Sequence, residues 1–187
     1  AWEDRYNSKL SYIPAERNLV SAVQNINDTY KAKERDSIFN FIQEWYEAKD
    51  TYGSDNKLTL SLTDDFKYYS DKGLDYVVLP NGKPITSFYA SSGVQSIMPI
   101  DVMTDYIMGV VGKVVKFSMT DLMNRLMESL DTDVRNEIVH GAHEVTEEEL
   151  APIREKMKYQ SAQLFIEEPE QNLYPDAQRK LVQNLIR

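Results

Sequence analysis

The chain has 187 residues, a formal net charge of −9 at pH 7, 42% hydrophobic residues and 27% charged residues, which is typical of a globular domain with its own core. The negative charge argues against a broadly basic nucleic-acid surface, and the lack of cysteine excludes disulfides and thiolate metal sites and fits a reducing cytoplasm. The sequence shows neither a signal peptide nor an apolar run near the roughly 18 residues of a membrane span.

The first part of the chain predicts a strand, a turn and two helices. Ser11–Arg17 reads SYIPAER, in which Pro14 ends a short strand, and Asn18 can cap a helix over residues 19–32. Asp36 is a suitable N-cap for the second helix. The apolar residues of that helix recur every three or four positions and indicate a core-facing stripe: Ile38, Phe39, Ile42, Trp45 and Tyr46.

The middle of the chain predicts β structure. Lys57–Thr63 alternates between apolar and polar residues, which favours a half-buried strand. Asp75–Leu79 and Ile85–Tyr89 flank the pair Asn81 and Gly82, and Asn-Gly between two β-rich runs is a strong hairpin signal. We therefore expect a β-hairpin here.

A stretch of small residues follows the hairpin, where Tyr89–Ile97 reads YASSGVQSI. It predicts the start of a helix that continues past Tyr106, with Pro99 in its first turns, close to where proline is tolerated. Exposed amides and hydroxyls at a helix N-terminus favour an anion, although a serine-rich N-cap without a ligand explains the same pattern. The later run Gly109–Lys113 is not a phosphate loop, because its glycine spacing is too short and Val114 follows the lysine.

The segment from residue 112 to 158 predicts further helices. Thr120 is a suitable N-cap for a helix over residues 121–130, and Thr146 is one for a helix that ends near Met157. Three residues are spaced to share a helix face, as metal ligands do: His140, His143 and Glu144. The acidic sequence around them favours a solvated turn over a metal site.

The most informative stretch, Ala162–Leu181, reads AQLFIEEPEQNLYPDAQRKL. Its apolar run Leu164–Ile166 predicts a strand buried in a parallel sheet, which Pro169 ends, and a helix follows Pro175. Carboxylates at the carboxyl end of such a strand lie where α/β sheets bind ligands, so one can help to hold Mg²⁺ and a second can activate water. The alternative is an acidic turn that ends the strand and does nothing else.

The whole stretch resembles the Walker B and D-loop segment of ABC-type ATPases, particularly the RecF/SMC-like and overcoming-lysogenization-defect (OLD) branch. Those proteins carry an apolar strand, then D/E-E-P-E-x-x-L-H/F/Y-P, then a helix with an early glutamine. By this resemblance Glu167 takes the metal-side acidic position, Glu168 takes the catalytic position and Gln178 is the helix glutamine. Tyr174 stands at the variable position before Pro175.

YASSGVQSI resembles the ABC signature motif in the S-S-G-x-Q form of OLD-like ATPases, although Ala90 and Ser92 depart from the strict L-S-G-G-Q/E pattern. The resemblance implies that Ser91 faces a γ-phosphate across a dimer. The nucleotide-side positions that it assigns are Ser91, Ser92, Gly93 and Gln95. SYIPAER is similar to an element that these ATPases carry between Walker A and the signature motif, which implies that Arg17 lies near the nucleotide or the dimer face.

The fold that the resemblance implies is α/β, a partial P-loop NTPase domain of the ABC-ATPase type over residues 1–187, with large helical elaborations and a β-hairpin. The elaborations are expected at about residues 19–51 and 112–158, the signature region at 89–110 and the Walker B region at 162–187. The chain contains no Walker A motif and no switch histidine, and it starts without Met. We therefore expect an internal piece of a larger ATPase that by itself neither binds ATP tightly nor hydrolyses it.

For the intact protein, the resemblance implies ATP as substrate, Mg²⁺ as cofactor, and a homodimer whose two heads sandwich ATP. It further implies a cytoplasmic setting in DNA repair or in defence against phage or plasmids, with DNA or an appended nuclease as a partner and no membrane. Two alternatives stay open. One is a regulatory or protein-interaction module that has lost ATPase function, and the other is an acidic helical scaffold whose two motifs match by chance.

Overall fold

The computed structural model describes residues 7–23, 26, 30, 36–62, 65–113, 119–142 and 145–186, and it shows a mixed α/β chain. The chain divides into two compact units. The larger unit comprises Leu10–Met108 and Gln163–Arg187, and the helical unit comprises Ala1–Lys9 and Gly109–Ala162. None of the helices in the described ranges combines the length and hydropathy that crossing a bilayer requires.

The described elements include helices, one parallel strand pair and one antiparallel sheet, which agrees with the α/β part of the expected fold. The strands are β1 (Ser8–Ile13), β2 (Leu58–Thr59), β3 (Lys67–Asp71), β4 (Leu74–Val78), β5 (Pro84–Thr86) and β6 (Ser161–Ile166). The helices are α1 (Leu19–Ala22), α2 (Ser37–Lys49), α3 (Ser92–Val110), α4 (Met119–Ser129), α5 (Thr132–Val139), α6 (Glu147–Lys156) and α7 (Pro175–Leu185). Two 3₁₀ turns cover Ala15–Asn18 and Ser87–Tyr89.

The first sheet consists of β1 and β6. The Glu167 N–H donates to the Ile13 carbonyl at 2.9 Å, and the Gln160 N–H donates to the Asn7 carbonyl at 2.9 Å. Later residues of β6 are therefore bonded to later residues of β1, so the two strands are parallel. Their carboxyl ends bring Ile13 and Glu167 to the same edge of the sheet.

The two faces of this strand pair differ in burial. Ile13, Leu164 and Ile166 pack on the core of the larger unit. Alternate residues point to the other face, where Leu10 is 60% exposed and Phe165 is 56% exposed. The prediction that this strand is buried is therefore wrong: within the described ranges β6 pairs with β1 alone, and the core covers one face of it.

The second sheet is antiparallel, with the strand order β2-β3-β4-β5. The hairpin predicted at Asn81 and Gly82 is confirmed, and Gly82 has the positive φ of +80° that glycine readily adopts. Ser87–Tyr89 forms a 3₁₀ turn instead of continuing the strand, and β2 ends at Thr59 instead of Thr63. Thr63 itself lies outside the described residues.

The core of the larger unit is built on α2 and α3. The N-cap of α2 is Asp36, whose carboxylate accepts the Phe39 N–H at 2.7 Å, as predicted. The core-facing side of α2 buries Phe41, Ile42 and Trp45. α3 is buried over most of its length, and its residues with 0% relative exposure are Ser96, Ile97, Met98, Ile100, Val102 and Met103. The predicted helix from Leu19 ends at Ala22 as α1, and much of its remaining range lies outside the described residues.

The helical unit has its own small core of Leu126, Leu150, Ile153 and Met157. The predicted N-cap Thr146 is confirmed, because it forms a capping box with Glu149 at the start of α6. α4 covers Met119–Ser129, so the predicted N-cap position, Thr120, falls inside the helix. His140 ends α5, with Nδ1 2.7 Å from the Asn136 carbonyl, whereas His143 and Glu144 lie outside the described residues.

Candidate functional site

The acidic turn, residues 167–173, follows β6 directly and has a strained backbone. Glu168 has φ +42° and Asn172 has φ +63°, both in the left-handed region that residues other than glycine rarely adopt. This conformation costs about 1–2 kcal/mol at a residue such as Glu168, whereas asparagine adopts it more readily. Two bonds inside the turn offset a part of this cost: the Gln171 N–H donates to the Glu168 carbonyl at 2.9 Å, and the Leu173 N–H donates to the Glu170 carbonyl at 3.1 Å. The conformation therefore requires further contacts from outside the turn.

Arg17 provides those contacts. It is fully buried in the 3₁₀ turn that follows β1. Its guanidinium donates five hydrogen bonds, and all five acceptors are main-chain carbonyl oxygens. The acceptors are the carbonyls of Ser96 (3.1 Å from Nε), Pro14 (3.4 Å from Nη1), Glu167 (2.9 Å from Nη1), Glu168 (2.9 Å from Nη2) and Pro169 (3.4 Å from Nη2). A guanidinium has five N–H donors. The nucleotide contact that the resemblance implies for Arg17 would require at least one of these bonds to open.

Glu167 is exposed and is oriented by the chain that leaves β1. Its Oε2 accepts the Tyr12 hydroxyl at 2.5 Å and the Ala15 N–H at 3.3 Å. The bond from Tyr12 and then that from Ala15 lower the pKa of Glu167 below its ordinary value, while slight desolvation acts in the opposite direction. The carboxylate is therefore ionised at neutral pH, which is the form that binds a cation.

Glu168 is also exposed, and its carboxylate lies at the bend where the chain leaves the sheet. Its own backbone carbonyl is fixed by both Arg17 and Gln171, so the residue has a defined backbone and an accessible side chain. An accessible carboxylate on a rigid turn has the properties that a general base for water requires.

The predicted nucleotide-side residues lie at the N-terminus of α3. Ser91 Oγ accepts the Val94 N–H at 3.4 Å, and both Ser91 and Ser92 are exposed. A Cβ on Gly93 would lie 3.5 Å from the Asn172 carbonyl, an ordinary contact distance, so packing within this chain does not require glycine there. The Gln95 amide donates to two carbonyls of the preceding 3₁₀ turn, those of Ser87 (3.0 Å) and Phe88 (2.9 Å).

The start of α3 and the acidic turn are joined by direct hydrogen bonds. Ser96 Oγ donates to the Gln171 carbonyl at 2.9 Å, and the Ser96 carbonyl accepts from Arg17. Pro99 has no N–H for the Gln95 carbonyl in the preceding turn, and Ser21 Oγ donates to that carbonyl at 3.1 Å instead. The structure thus brings together the two stretches that the sequence singled out, through residues that lie 75 positions apart in the sequence.

Mg²⁺ is the cofactor that the resemblance implies. Across the described residues, no group of three or more His, Asp or Glu side chains is placed to hold a metal by itself. Mg²⁺ usually keeps several waters and takes one or two carboxylates together with substrate phosphates. A single ionised carboxylate such as Glu167 fits that mode of binding.

Sequence reasoning missed the residues that organise this site. Tyr12 orients Glu167, and Ser96 joins α3 to the acidic turn. A signal for Tyr12 was present, since it lies two residues before Pro14 at the end of a strand. The sequence also held a signal for Ser96, because it is a polar residue within the apolar run that forms α3.

Comparisons of this chain with protein-family models, with curated proteins and with solved structures found no match. The ABC-type resemblance therefore rests on the two sequence motifs alone.

Proposed function

We propose that this chain supplies the signature-like and Walker B-like segments of a cytoplasmic ATP-binding protein of the RecF/SMC/OLD-like group, which hydrolyses ATP in a head-to-head homodimer. One observation carries the proposal. An acidic turn with the exposed carboxylates of Glu167 and Glu168 stands at the carboxyl end of a parallel strand pair, and it is bonded to the start of the helix that follows Ser91. This is where open α/β sheets place their ligands.

Each residue has a defined role in the proposed reaction. Mg²⁺, when bound with ATP, would neutralise charge on the phosphates. Glu167 would hold that ion, through water, in the ionised form that Tyr12 and Ala15 favour. Glu168 would accept a proton from the attacking water. The water oxygen would form a bond to the γ-phosphorus while the bond between the γ-phosphorus and the ADP oxygen breaks. Ser91 would contact the γ-phosphate bound by the opposite head, so that hydrolysis releases the dimer.

The proposed setting follows the same resemblance. Head separation on hydrolysis suits a protein of DNA repair or of defence against phage or plasmids, with DNA or a nuclease as the further partner. The net charge of −9 places any DNA contact in a local patch or in another part of the protein, rather than across this chain as a whole.

The test is ATP turnover by the gene product that contains this chain, compared with its Glu168→Gln variant. We expect turnover to fall by about 10²–10⁴-fold, the usual contribution of a general base, while ATP-dependent dimers accumulate. Glu170→Gln is the matched control, because it makes the same change on an exposed side chain of the same turn. Equal turnover in Glu168→Gln and the unaltered protein would remove Glu168 from the mechanism.

A second candidate, a non-catalytic interaction module, is favoured by the exposed apolar face of the β1–β6 pair. Leu10 and Phe165 lie on that face, which a parallel pair usually buries. This candidate predicts that the gene product neither binds nor hydrolyses ATP. Binding of ATP by that protein would count against it.

A further inference from the structure

Arg17 is a buried cation with an unusual set of hydrogen-bond partners. A buried cation is ordinarily paired with a carboxylate. The Arg17 guanidinium instead donates to main-chain carbonyls from three separate segments of the larger unit. Burial lowers the pKa of Arg17, whereas the charges of Glu170 and Glu168 act in the opposite direction.

The two peptide groups that flank the Cα of Glu168 are both bound by this one guanidinium. Nη1 donates to the Glu167 carbonyl, which belongs to the peptide before that Cα, and Nη2 donates to the Glu168 carbonyl, which belongs to the peptide after it. Fixing both peptide planes fixes φ and ψ of Glu168, and with them the direction of its Cα–Cβ bond. The left-handed φ of +42° is thereby held against its intrinsic cost.

The same guanidinium also binds the helix that carries the signature-like residues. Nε donates to the Ser96 carbonyl, and the Ser96 hydroxyl donates to the Gln171 carbonyl of the acidic turn. A shift of α3 would therefore move the guanidinium, the turn, or both. Lysine could not replace this arrangement, since it has three donors on one nitrogen in place of a planar fork of five.

We propose that Arg17 is a positioning residue that couples the start of α3 to the direction of the Glu168 carboxylate. Its effect on turnover rests on the proposed ATPase function, in which Glu168 is the catalytic base. The coupling itself belongs to this chain and is measurable without nucleotide. The role differs from a nucleotide contact, because every donor of Arg17 already has a carbonyl acceptor.

The first experiment measures hydrogen exchange in this chain with Arg17→Lys. We expect exchange in residues 91–98 and 165–174 to accelerate together by roughly tenfold, because local opening of the turn and of the helix start becomes easier. The α2 amides should change much less. Arg154→Lys is the matched control, since it makes the same substitution at a partly exposed arginine paired with Glu147 in the helical unit.

Two results would overturn the coupling. One is unchanged exchange in residues 165–174, and the other is an equal acceleration in α2, which would mean general destabilisation. If Arg17→Lys does not fold, Ser96→Ala decides the matter, because it removes only the hydroxyl bond to Gln171. Ser96→Ala must then accelerate exchange in the acidic turn, and an unchanged turn would overturn the proposal.

The second experiment measures steady-state ATP turnover by the gene product that contains this chain. A misdirected Glu168 should lower kcat by roughly 10- to 100-fold, since small misplacements of a reacting group have effects of this size. KM should stay within about threefold, whereas a lost nucleotide contact would raise it. An unchanged kcat in Arg17→Lys would overturn the positioning role. If the unaltered protein has no turnover, the ATPase proposal fails, and hydrogen exchange still decides the coupling.

Discussion

Arg17 and Lys49 are both buried cations of the larger unit, with 0% and 3% relative exposure, but their surroundings differ. Arg17 is bonded to carbonyl oxygens alone. Lys49 lies 3.5 Å from the Asp75 carboxylate and 3.0 Å from the Gly73 carbonyl, and its Nζ is 4.4 Å from the centre of the Tyr46 ring. One cation is matched by dipoles of the backbone and the other by an opposite charge.

The difference shows what each residue type contributes to the fold. The planar fork of Arg17 joins three backbone segments at the candidate site, and no titration of an acceptor can weaken its bonds. Lys49 joins α2 to the β3–β4 hairpin through a carboxylate that can gain a proton. Burial raises the pKa of Asp75, while Lys49 and a hydrogen bond from Tyr68 oppose that rise. The Lys49–Asp75 pair should therefore respond to pH, whereas the carbonyl acceptors of Arg17 do not titrate.

The largest expected effect that tests this comparison is that of Lys49→Met. The substitution leaves Asp75 buried without its counter-charge, and breaking such a pair costs about 3–5 kcal/mol. Without Lys49 the pKa of Asp75 rises further, so the native state retains a proton that the unfolded state releases. The loss of stability should therefore be greater at pH 8 than at pH 5. Urea denaturation at both pH values measures it.

The control for this prediction is the double variant Lys49→Met with Asp75→Asn. Removing both charges should recover about 2 kcal/mol or more of the loss and abolish its pH dependence. The asparagine can still accept the Tyr68 hydroxyl, which lies 2.7 Å from Asp75. A loss equal at pH 5 and pH 8 in the single variant would show that the two charges are not coupled. No matching rescue exists for Arg17, because its acceptors belong to the backbone.

Asp101 extends the comparison to a buried acid without a cation. It is 5% exposed, its Oδ2 accepts the Ser61 N–H at 2.7 Å, and its Oδ1 has no hydrogen-bond partner among the described residues. Burial raises its pKa to about 7, whereas the bond from Ser61 acts to lower it. The native state thus holds a proton that the unfolded state loses near pH 4, so stability falls as pH rises from about 4 to about 7.

We predict that Asp101→Asn removes this fall, which should be on the order of 2–4 kcal/mol. The variant should gain stability relative to the unaltered chain as pH rises, and the two curves should run parallel above about pH 7. Thermal or urea unfolding across pH 4–8 measures it. Asp55→Asn is the matched control at an exposed position and should keep the pH dependence. The same slope in Asp101→Asn and the unaltered chain would contradict the prediction.

Short-range signals in the sequence predicted the elements near the site well. Asp36 and Thr146 cap the helices that they were expected to cap, and Gly82 turns the expected hairpin. The turn after Ile166 and the helix after Pro175 also lie where predicted. Each of these depends on residues within four positions of one another, and such local preferences can be read from one sequence. The strand β3 was missed, although Lys72 and Gly73, with φ of +48° and +81°, form a tight hairpin turn after it.

Long-range contacts decided the parts that could not be predicted. Four of the five carbonyl partners of Arg17 lie 79 to 152 positions away in the sequence, and Glu167 is 155 positions from Tyr12. Nothing in SYIPAER indicates that its arginine binds carbonyls of the acidic turn, because this depends on the parallel pairing of β1 with β6. The exposure of Phe165 likewise depends on how many elements cover the sheet, which its own apolar run does not reveal.

The smallest expected effect is that of Tyr12→Phe. The Glu167 carboxylate is exposed, so water can replace much of the hydrogen bond that Tyr12 donates to it. Tyr12→Phe removes the 2.5 Å hydrogen bond that contributes most to lowering the pKa of Glu167, so that pKa should rise towards its ordinary value. A lowered carboxyl pKa adds stability that is present above the unfolded-state pKa and lost as pH falls through the folded-state pKa. In Tyr12→Phe this acid-labile part of the stability should shrink.

Carboxyl ¹³C titration by NMR measures the Glu167 pKa directly. Tyr174→Phe, at a ring that is 85% exposed, is the matched control. A Glu167 pKa that stays low in Tyr12→Phe would mean that the Ala15 N–H alone orients this carboxylate.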